Sequence, residues 1–439
     1  MVKLREHKKE TENKAIEKLA APAKVYIPLS QHIGKPCEPL VKAGDYVHLG
    51  QKIAAAQANV YSPIHSSVSG KVAGIQDWPH PVLGRCRAIV IENDGLDKLP
   101  GSQACRPSEE INSLGPDKVR DAVLEAGIVG MGGASFPSHI KLNPPKPVDT
   151  LIVNGAECEP YLTGDYRLMV ERTEEILKGI ELIAKCLGVK NVIIGIEDNK
   201  PEAIEIFSRK SQVTGPMAMV CFPTGKAASY KIKVLKSQYP QGGEKQLILN
   251  VLGKEVPSGK LPFEIGVVVH NVSTVFAIYE AVYCGKPLYE RVVTVAGSCV
   301  SNPGNFLARI GTPFKDLIDP RGLKEEPAKI IVGGPMMGIA QFDDKTPVIK
   351  STTGILLYSK KEALLNEELA CIRCGACVRE CPAFLMPTLI SLASKKGLWP
   401  QAKVYGASDC IECGICSYVC PSNIRLVQHI KRAKLEVAR

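Results

Sequence analysis

Eight cysteines toward the carboxyl end fall into two runs with one spacing. Cys371, Cys374, Cys377 and Cys381 read C-x-x-C-x-x-C-x-x-x-C-P, and Cys410, Cys413, Cys416 and Cys420 repeat the pattern, with Pro382 and Pro421 closing the runs. Three thiolates two residues apart can wrap one face of a cubane, and soft thiolate ligands suit iron–sulfur chemistry over hard ions. Gly375 and Gly414 let backbone amides approach the sulfides. Chance repetition of such a spacing is negligible, so two 4Fe-4S clusters are expected. Where two such runs pair, the fourth cysteine of each ligates the other cluster. One cluster is therefore expected on Cys371, Cys374, Cys377 and Cys420, and the other on Cys410, Cys413, Cys416 and Cys381. Zinc is the alternative, but it usually takes its four ligands from two separated C-x-x-C pairs.

A second candidate site is Gly130-Met131-Gly132-Gly133-Ala134-Ser135-Phe136-Pro137. A glycine-rich turn can set backbone amides against a phosphate or a flavin ring. The pattern is not the Rossmann G-x-G-x-x-G, and by itself a tight turn explains it as well. The remaining cysteines, Cys37, Cys86, Cys105, Cys158, Cys186, Cys221, Cys284 and Cys299, are scattered. In a reducing compartment thiols stay free, so most of these are expected to be small buried hydrophobes and not disulfides.

The elements that must position these residues can be read along the chain. With 439 residues there is material for three or four domains. Short strands between turn signals run from Val25 to about Asn93, as KVYIPLS, VKAGDYVHLGQKIAAA, VYSPIHSSVSGKVAGI and RAIVIEND, and predict a small barrel or sandwich. Further on, PDKVRDAVLEAG, DTLIVNG, RTEEILKGIELIAKCLG, NVIIGIED and KPEAIEIFSRK alternate helical and buried-strand patterns, which predicts a mainly parallel sheet with covering helices. FAIYEAVYCG reads as a closing helix ending at Gly285. Between the cysteine runs FLMPTLISLASKKGLW is helical in spacing, so the cluster module should be mostly helical.

Composition sets limits. Hydrophobic content of 45% and charged content of 23%, without low-complexity tracts, are those of a globular protein. The formal charge of +10 is weak support for nucleic-acid binding, because anionic clusters and a flavin phosphate would offset part of it, and no nucleic-acid partner is expected. Basic residues gather at the ends, from Lys3 to Lys24 and from Arg425 to Arg439, as solvated tails or as faces toward anionic lipid or an acidic partner. The first residues lack an apolar signal core, and the most apolar window, from Phe263, contains Glu264, His270, Asn271 and Glu280. A cytoplasmic protein without a transmembrane helix is expected.

Family resemblance extends these expectations. The glycine run, Lys141, the segment Asn154-Gly155-Ala156-Glu157-Cys158-Glu159-Pro160 and Gly242-Gly243-Glu244-Lys245 together resemble the flavin subunit of respiratory complex I. The resemblance implies non-covalent FMN held by Gly130, Gly132, Gly133, Lys141, Asn154, Glu157 and Asn271, with Phe136, Glu159 and Glu244 lining an NAD(H) pocket. Ala156, Cys158 and Lys245 stand where that family has an aspartate, a serine and a second glutamate. The strand-rich start, G-D-x-V-x-x-G-Q-x-I then S-P-I-x-x-x-V-S-G-K-V, is similar to biotinyl and lipoyl domains. It has Gln57, Ala58 and Asn59 where those carry a modified lysine, so a structural or docking module is implied. VVTVAGS, GTPFKDLID and AKIIVGGPMMG resemble the soluble-ligand-binding beta-grasp (SLBB) module.

The whole order, with NGAECEPYLTGDYRLM and GGPMMG, resembles the C subunits of Rnf electron-transport complexes. The fold implied is multidomain α/β. It comprises a charged tail (1–24), a barrel-sandwich hybrid (25–100), a Rossmann-like FMN/NADH-binding domain (101–290), an SLBB-like module (291–350) and an α-helical two-cluster ferredoxin domain (351–439). The implied role is a peripheral subunit on the cytoplasmic side of the inner membrane, an NAD-dependent oxidoreductase passing electrons between NAD(H), FMN and the clusters. Its partners would be the other subunits of the complex and, indirectly, ferredoxin. A soluble corrinoid reductase and a flavin-free iron–sulfur relay are the alternatives.

Overall fold

The computed structural model describes residues 1–101, 105–210, 229–363 and 366–438; Cys221 lies outside them. The chain starts with β1 (Ile16–Lys18), which does not stay with its neighbours in sequence. The barrel follows as β2 (Lys24–Pro28), β3 (Glu38–Pro39), β4 (Tyr46–Val47), β5 (Lys52–Ala55), β6 (Ile64–His65), β7 (Gly70–His80) and β8 (Gly84–Asn93). Its sheets are β2-β8-β7-β4 and β3-β5-β6. Alternation in β8 turns Ile89 and Ile91 onto Val25, Ile27, Val47 and Ile53, all buried, and each such side chain contributes roughly 1.5–3 kcal/mol. Outside, Tyr26 and Trp78 stack with centroids 3.9 Å apart.

The flavin-type domain opens with α1 (Ser108–Ser113), α2 (Pro116–Glu125) and α3 (Ser138–Lys141) and continues through β9 (Thr150–Gly155), α4 (Gly164–Glu171), α5 (Thr173–Leu187), β10 (Asn191–Glu197), α6 (Pro201–Lys210) and β11 (Ser229–Leu235). It closes with α7 (Glu244–Leu252), β12 (Val267–Asn271) and α8 (Val272–Cys284). The sheet order is β11-β10-β9-β12, parallel throughout, as the alternating pattern predicts. Its apolar runs face helices on both sides, which is what parallel strands require. A single glycine sets the distance between two of those helices. A Cβ on Gly179 would lie 2.4 Å from the Val275 carbonyl oxygen, so α5 can cross α8 this closely only without a side chain there. α8 ends where Gly285 takes a left-handed φ of 59°.

Next come β13 (Glu290–Ala296), β14 (Gly304–Arg309), α9 (Phe314–Ile318), β15 (Lys329–Val332), β16 (Ile339–Gln341) and β17 (Gly354–Tyr358). They form one sheet in the order β1-β14-β13-β17-β15-β16, so it draws on segments from both outside and inside the expected module. The cluster module is helical, with α10 (Lys360–Ala363), α11 (Ala376–Arg379), α12 (Pro387–Lys395), α13 (Trp399–Val404), α14 (Ile415–Tyr418) and α15 (Leu426–Ala438). Ile390, Ala393, Ala402, Leu426 and Ile430 make its core.

Two expectations are corrected. The basic amino-terminal segment is not a solvated tail: Thr11 is fully buried and Lys8 is 3% exposed, because Ile16–Lys18 pairs parallel with Asn305–Leu307 and Val2 bridges to Tyr239. Nor are all the scattered cysteines free. Cys105 is disulfide-bonded to Cys284, since the stretch entering α1 is laid against the end of α8. Cys37 and Cys299 are buried thiols as expected.

Candidate redox site

The two cysteine runs share a backbone path. Arg373 and Glu412 have φ of 56° and 59°, Gly375 and Gly414 have 73° and 78°, and Phe384 and Asn423 have 53° and 52°. A non-glycine residue in the left-handed region costs roughly 1–2 kcal/mol. That the same positions adopt it in both runs shows that the loop geometry imposes it. Each loop lets an amide reach a sulfur: Glu412 N donates to Cys410 Sγ at 3.4 Å, and Leu385 N to Cys381 Sγ at 3.4 Å.

The structure brings Cys377 together with Cys420, Cys371 and Cys374, and brings Cys381 together with Cys410, Cys413 and Cys416. Burial pushes the thiols up, to about 11 for Cys413 and about 12 for Cys416, and the neighbouring sulfurs add to it. Such thiols ionise near pH 7 only when a metal displaces their protons. Among the described residues no three His, Cys, Asp or Glu side chains converge as a single ion requires. The thiolates of a cubane bind separate irons and need not converge. Cys371 and Cys374 are exposed, whereas Cys413 and Cys416 are buried.

The glycine run forms a turn between α2 and α3, closed by Gly130 N to Phe136 O at 2.8 Å and Ser135 N to Gly130 O at 3.1 Å. Gly132, Gly133 and Ala134 are exposed, and their amides have no protein acceptor among the described residues. A Cβ on Gly132 would lie 3.3 Å from Asn271 Cβ, so the turn rests on the start of α8. Asn271 caps that helix, accepting from Ser273 N at 2.9 Å while its Nδ2 donates to Asp165 Oδ2 at 2.6 Å. Asn154, at the end of β9, donates to the Gly242 carbonyl at 2.9 Å and accepts from Ala156 N at 3.1 Å. Lys141 reaches Glu244 Oε1 at 2.7 Å and the Val269 carbonyl at 3.1 Å. Strand ends, a glycine turn and unused amides thus meet at one edge of the parallel sheet, where doubly wound folds bind ligands. Amides without a protein acceptor for anionic or carbonyl oxygens, together with a lysine held near the end of β12, fit an FMN.

Glu157 is aimed elsewhere: its carboxylate accepts from Asp165 N at 3.0 Å and Tyr166 N at 3.3 Å, at the amino end of α4. Burial raises its pKa, and the Lys8 ammonium opposes that. Lys8 Nζ donates to the Glu157 carbonyl and, at 2.8 Å, to that of Leu162. Glu159 accepts from Met336 N at 3.1 Å and Met337 N at 2.9 Å, so its carboxylate is held by the GGPMMG turn; burial pushes its pKa up to about 6. Lys8 and Asp165 escape a sequence reading, Lys8 because it stands in a charged run that looks like a tail.

The quartet of Cys381, Cys410, Cys413 and Cys416, two of them buried, adjoins this domain. Tyr239 donates to the Cys413 carbonyl at 2.8 Å and Gln246 Nε2 to that of Pro382 at 2.8 Å, while Ser258 donates to Asp409. Tyr239, Cys413, Ile415, Val2, Leu4, Cys158 and Met336 form one apolar cluster at the junction. Among the described residues no helix is long and apolar enough to cross a membrane.

Comparison with known proteins agrees with each part. The Nuo51 FMN-binding domain family matches residues 123–280, the RnfC barrel sandwich hybrid domain 2–96, the SLBB domain 292–340 and the 4Fe-4S dicluster domain 370–424. The chain is 48% identical over 98% of its length to the C subunit of the proton-translocating ferredoxin:NAD(+) oxidoreductase complex of Clostridium ljungdahlii, covering 91% of that protein. It is 44% identical over 95% of its length to the Na(+)-translocating counterpart of Acetobacterium woodii, again covering 91%. It is 43% identical to the C subunit of the ion-translocating oxidoreductase complex of Rhodobacter capsulatus, over 98% of this chain and 80% of that one. A crystal structure of an NAD+-reducing [NiFe]-hydrogenase in the H2-reduced state superposes with a TM-score of 0.50 at 18% identity, covering 77% of this chain and 68% of that one, a likeness of fold.

Proposed function

The chain belongs to the family of C subunits of ion-translocating ferredoxin:NAD(+) oxidoreductase complexes, and on that premise we propose that it is the NAD(H)-handling, electron-transferring subunit of such a complex. Its cofactors are FMN and two 4Fe-4S clusters, NAD(H) is its substrate, and its partners are the other subunits of the complex. It sits peripherally on the cytoplasmic side of the membrane, a placement that fits a chain with no spanning helix among the described residues.

FMN, when bound, supplies the exchange between hydride and single electrons, and the clusters supply one-electron carriage. The residues do the holding. The Gly132–Ala134 amides, Gly130 and Asn271 cradle the flavin, with Lys141 and Asn154 beside it, while Glu157 braces the loop through α4. Glu244 and Phe136 face the nucleotide, and Glu159 positions the GGPMMG turn against the cluster module. Cys371, Cys374, Cys377 and Cys420 hold the outer cluster; Cys410, Cys413, Cys416 and Cys381 hold the inner one, beside the flavin domain.

The observation that carries this reading is the seating of one cysteine quartet on the flavin-type domain through Tyr239 while Cys371 and Cys374 of the other are exposed. The test is anaerobic reconstitution with iron, sulfide and FMN, followed by NADH titration. Bleaching of both the flavin and the brown cluster absorbance is expected. A chain that takes up FMN and both clusters yet stays oxidised under excess NADH would refute the reading.

A further inference from the structure

The barrel touches the glycine turn through one tight loop. Ile33 N donates to the Ser135 carbonyl at 3.1 Å, between the free amides of Gly132–Ala134 and the half-buried Phe136. Ser135 holds a φ of 51° at that point. The loop is rigid: Gly34 has a φ of 126°, and a Cβ there would lie 2.2 Å from the Val60 carbonyl oxygen, which also accepts from Lys35 N at 3.1 Å. Val60 follows Gln57-Ala58-Asn59, so the hairpin that in a carrier domain presents the modified lysine serves here as a prop. Tyr61 leans edge-on toward His139, one turn beyond Phe136, with centroids 6.5 Å apart.

The barrel's position is fixed from below. Lys350, fully buried, donates to Ser62 Oγ at 3.3 Å and the Pro63 carbonyl at 2.6 Å on the barrel side, and to the Gly127 carbonyl at 2.7 Å just before the glycine run. A buried amine with three acceptors from two domains cannot be shifted without leaving those acceptors and its own donors unsatisfied. What the loop then offers at the edge of the turn is Ile33, 54% exposed, and Lys35, also exposed.

We infer that the Ile33–Lys35 loop of the barrel is the adenylate wall of the nucleotide pocket, Ile33 packing on the adenine and Lys35 pairing with the pyrophosphate. This rests on the reading of the glycine turn as the FMN and NAD(H) site. Flat adenine rings bind against apolar side chains, and a pyrophosphate seeks a lysine next to unused backbone amides. The loop carries the apolar side chain and the lysine, and the turn that Ile33 N bonds carries the amides. The barrel is thereby a specificity element of the dinucleotide site.

The test compares NADH with reduced nicotinamide mononucleotide, which lacks adenine and pyrophosphate, as reductants of the FMN-loaded, cluster-loaded full chain. In the double variant Ile33→Asp, Lys35→Glu the KM for NADH should rise about tenfold, with kcat kept and the KM for the mononucleotide moving less than about twofold. Lys35→Arg should restore part of the affinity to Lys35→Glu. Both side chains are exposed, so the fold should tolerate the changes. An unchanged KM for NADH, an equal rise for both reductants, or loss of bound FMN in the variants would each overturn the inference. Failure of the unaltered chain to oxidise either reductant would instead strike the FMN and NAD(H) reading beneath it.

Discussion

Sulfur ligands and buried carboxylates carry the sharpest consequences at the scale of single residues. Cys381 stands in the first run but lies with Cys410, Cys413 and Cys416. Cys381→Ala should therefore remove the EPR signal of the second-run cluster and about half the total iron while sparing the cluster of its own run, whereas uncrossed ligation would spare the second-run signal. Glu159 tests the electrostatics. Its folded-state pKa of about 6 exceeds the ordinary 4.5, so the folded chain binds more protons than the unfolded one between those values, and stability contributed by this group falls as pH rises through that window. Urea melts of the cluster-free chain should show Glu159→Gln gaining on the original from pH 4.5 to about 6 and by a constant margin above. A difference that does not vary with pH would contradict the assignment. The cysteines were legible from spacing alone, because thiolate chemistry demands it. The family resemblance implied Glu159 in the NAD(H) pocket, whereas its amide partners Met336 and Met337 come from a distant turn that no local pattern announces.

At the scale of elements, the parallel sheet was readable because its strands are uninterrupted apolar runs and its helices carry a clear stripe; Ile176, Ile180 and Ile183 of α5 are all buried. The glycine within that stripe is less obvious. Gly179→Ala would ordinarily favour a helix by up to about 1 kcal/mol, yet here the new methyl would meet the Val275 carbonyl oxygen at 2.4 Å. We expect net destabilisation of roughly 1–3 kcal/mol, seen as a lower denaturation midpoint. An unchanged or raised midpoint would mean that α5 and α8 can separate freely. The short strand β1 was missed because three residues inside a charged stretch have no pattern of their own; only β14, far along the chain, gives Ile16–Lys18 its place. For the same reason Lys8, buried under the Glu157–Leu162 loop, reads in sequence as one more solvated cation.

At the scale of the whole molecule, the cluster module is seated on the flavin-type domain through a small set of contacts. Tyr239, 1% exposed, donates there to the Cys413 carbonyl. Tyr239→Phe leaves that carbonyl unpaired and should cost about 1–3 kcal/mol in the docking of the module. In stopped-flow experiments NADH should reduce the flavin at the usual rate while cluster bleaching slows. Equal slowing of both phases, or of neither, would show that the contact does not govern the seating. The order of the domains was visible in the sequence, but this junction was not, since its members come from Val2, Cys158, Tyr239, Met336 and Ile415.

The pairing of Ile16–Lys18 with Asn305–Leu307 also dictates a schedule. A ribosome that adds roughly 5–20 residues per second releases β1 tens of seconds before its partner strand exists. During that interval the opening segment, which is to lie against Glu157, Leu162 and Tyr239, must wait unpaired while the barrel folds downstream of it. Its density of lysine and glutamate, part of which later bonds Glu157, Leu162, Pro303 and Arg321, should keep such a waiting strand dissolved until translation catches up.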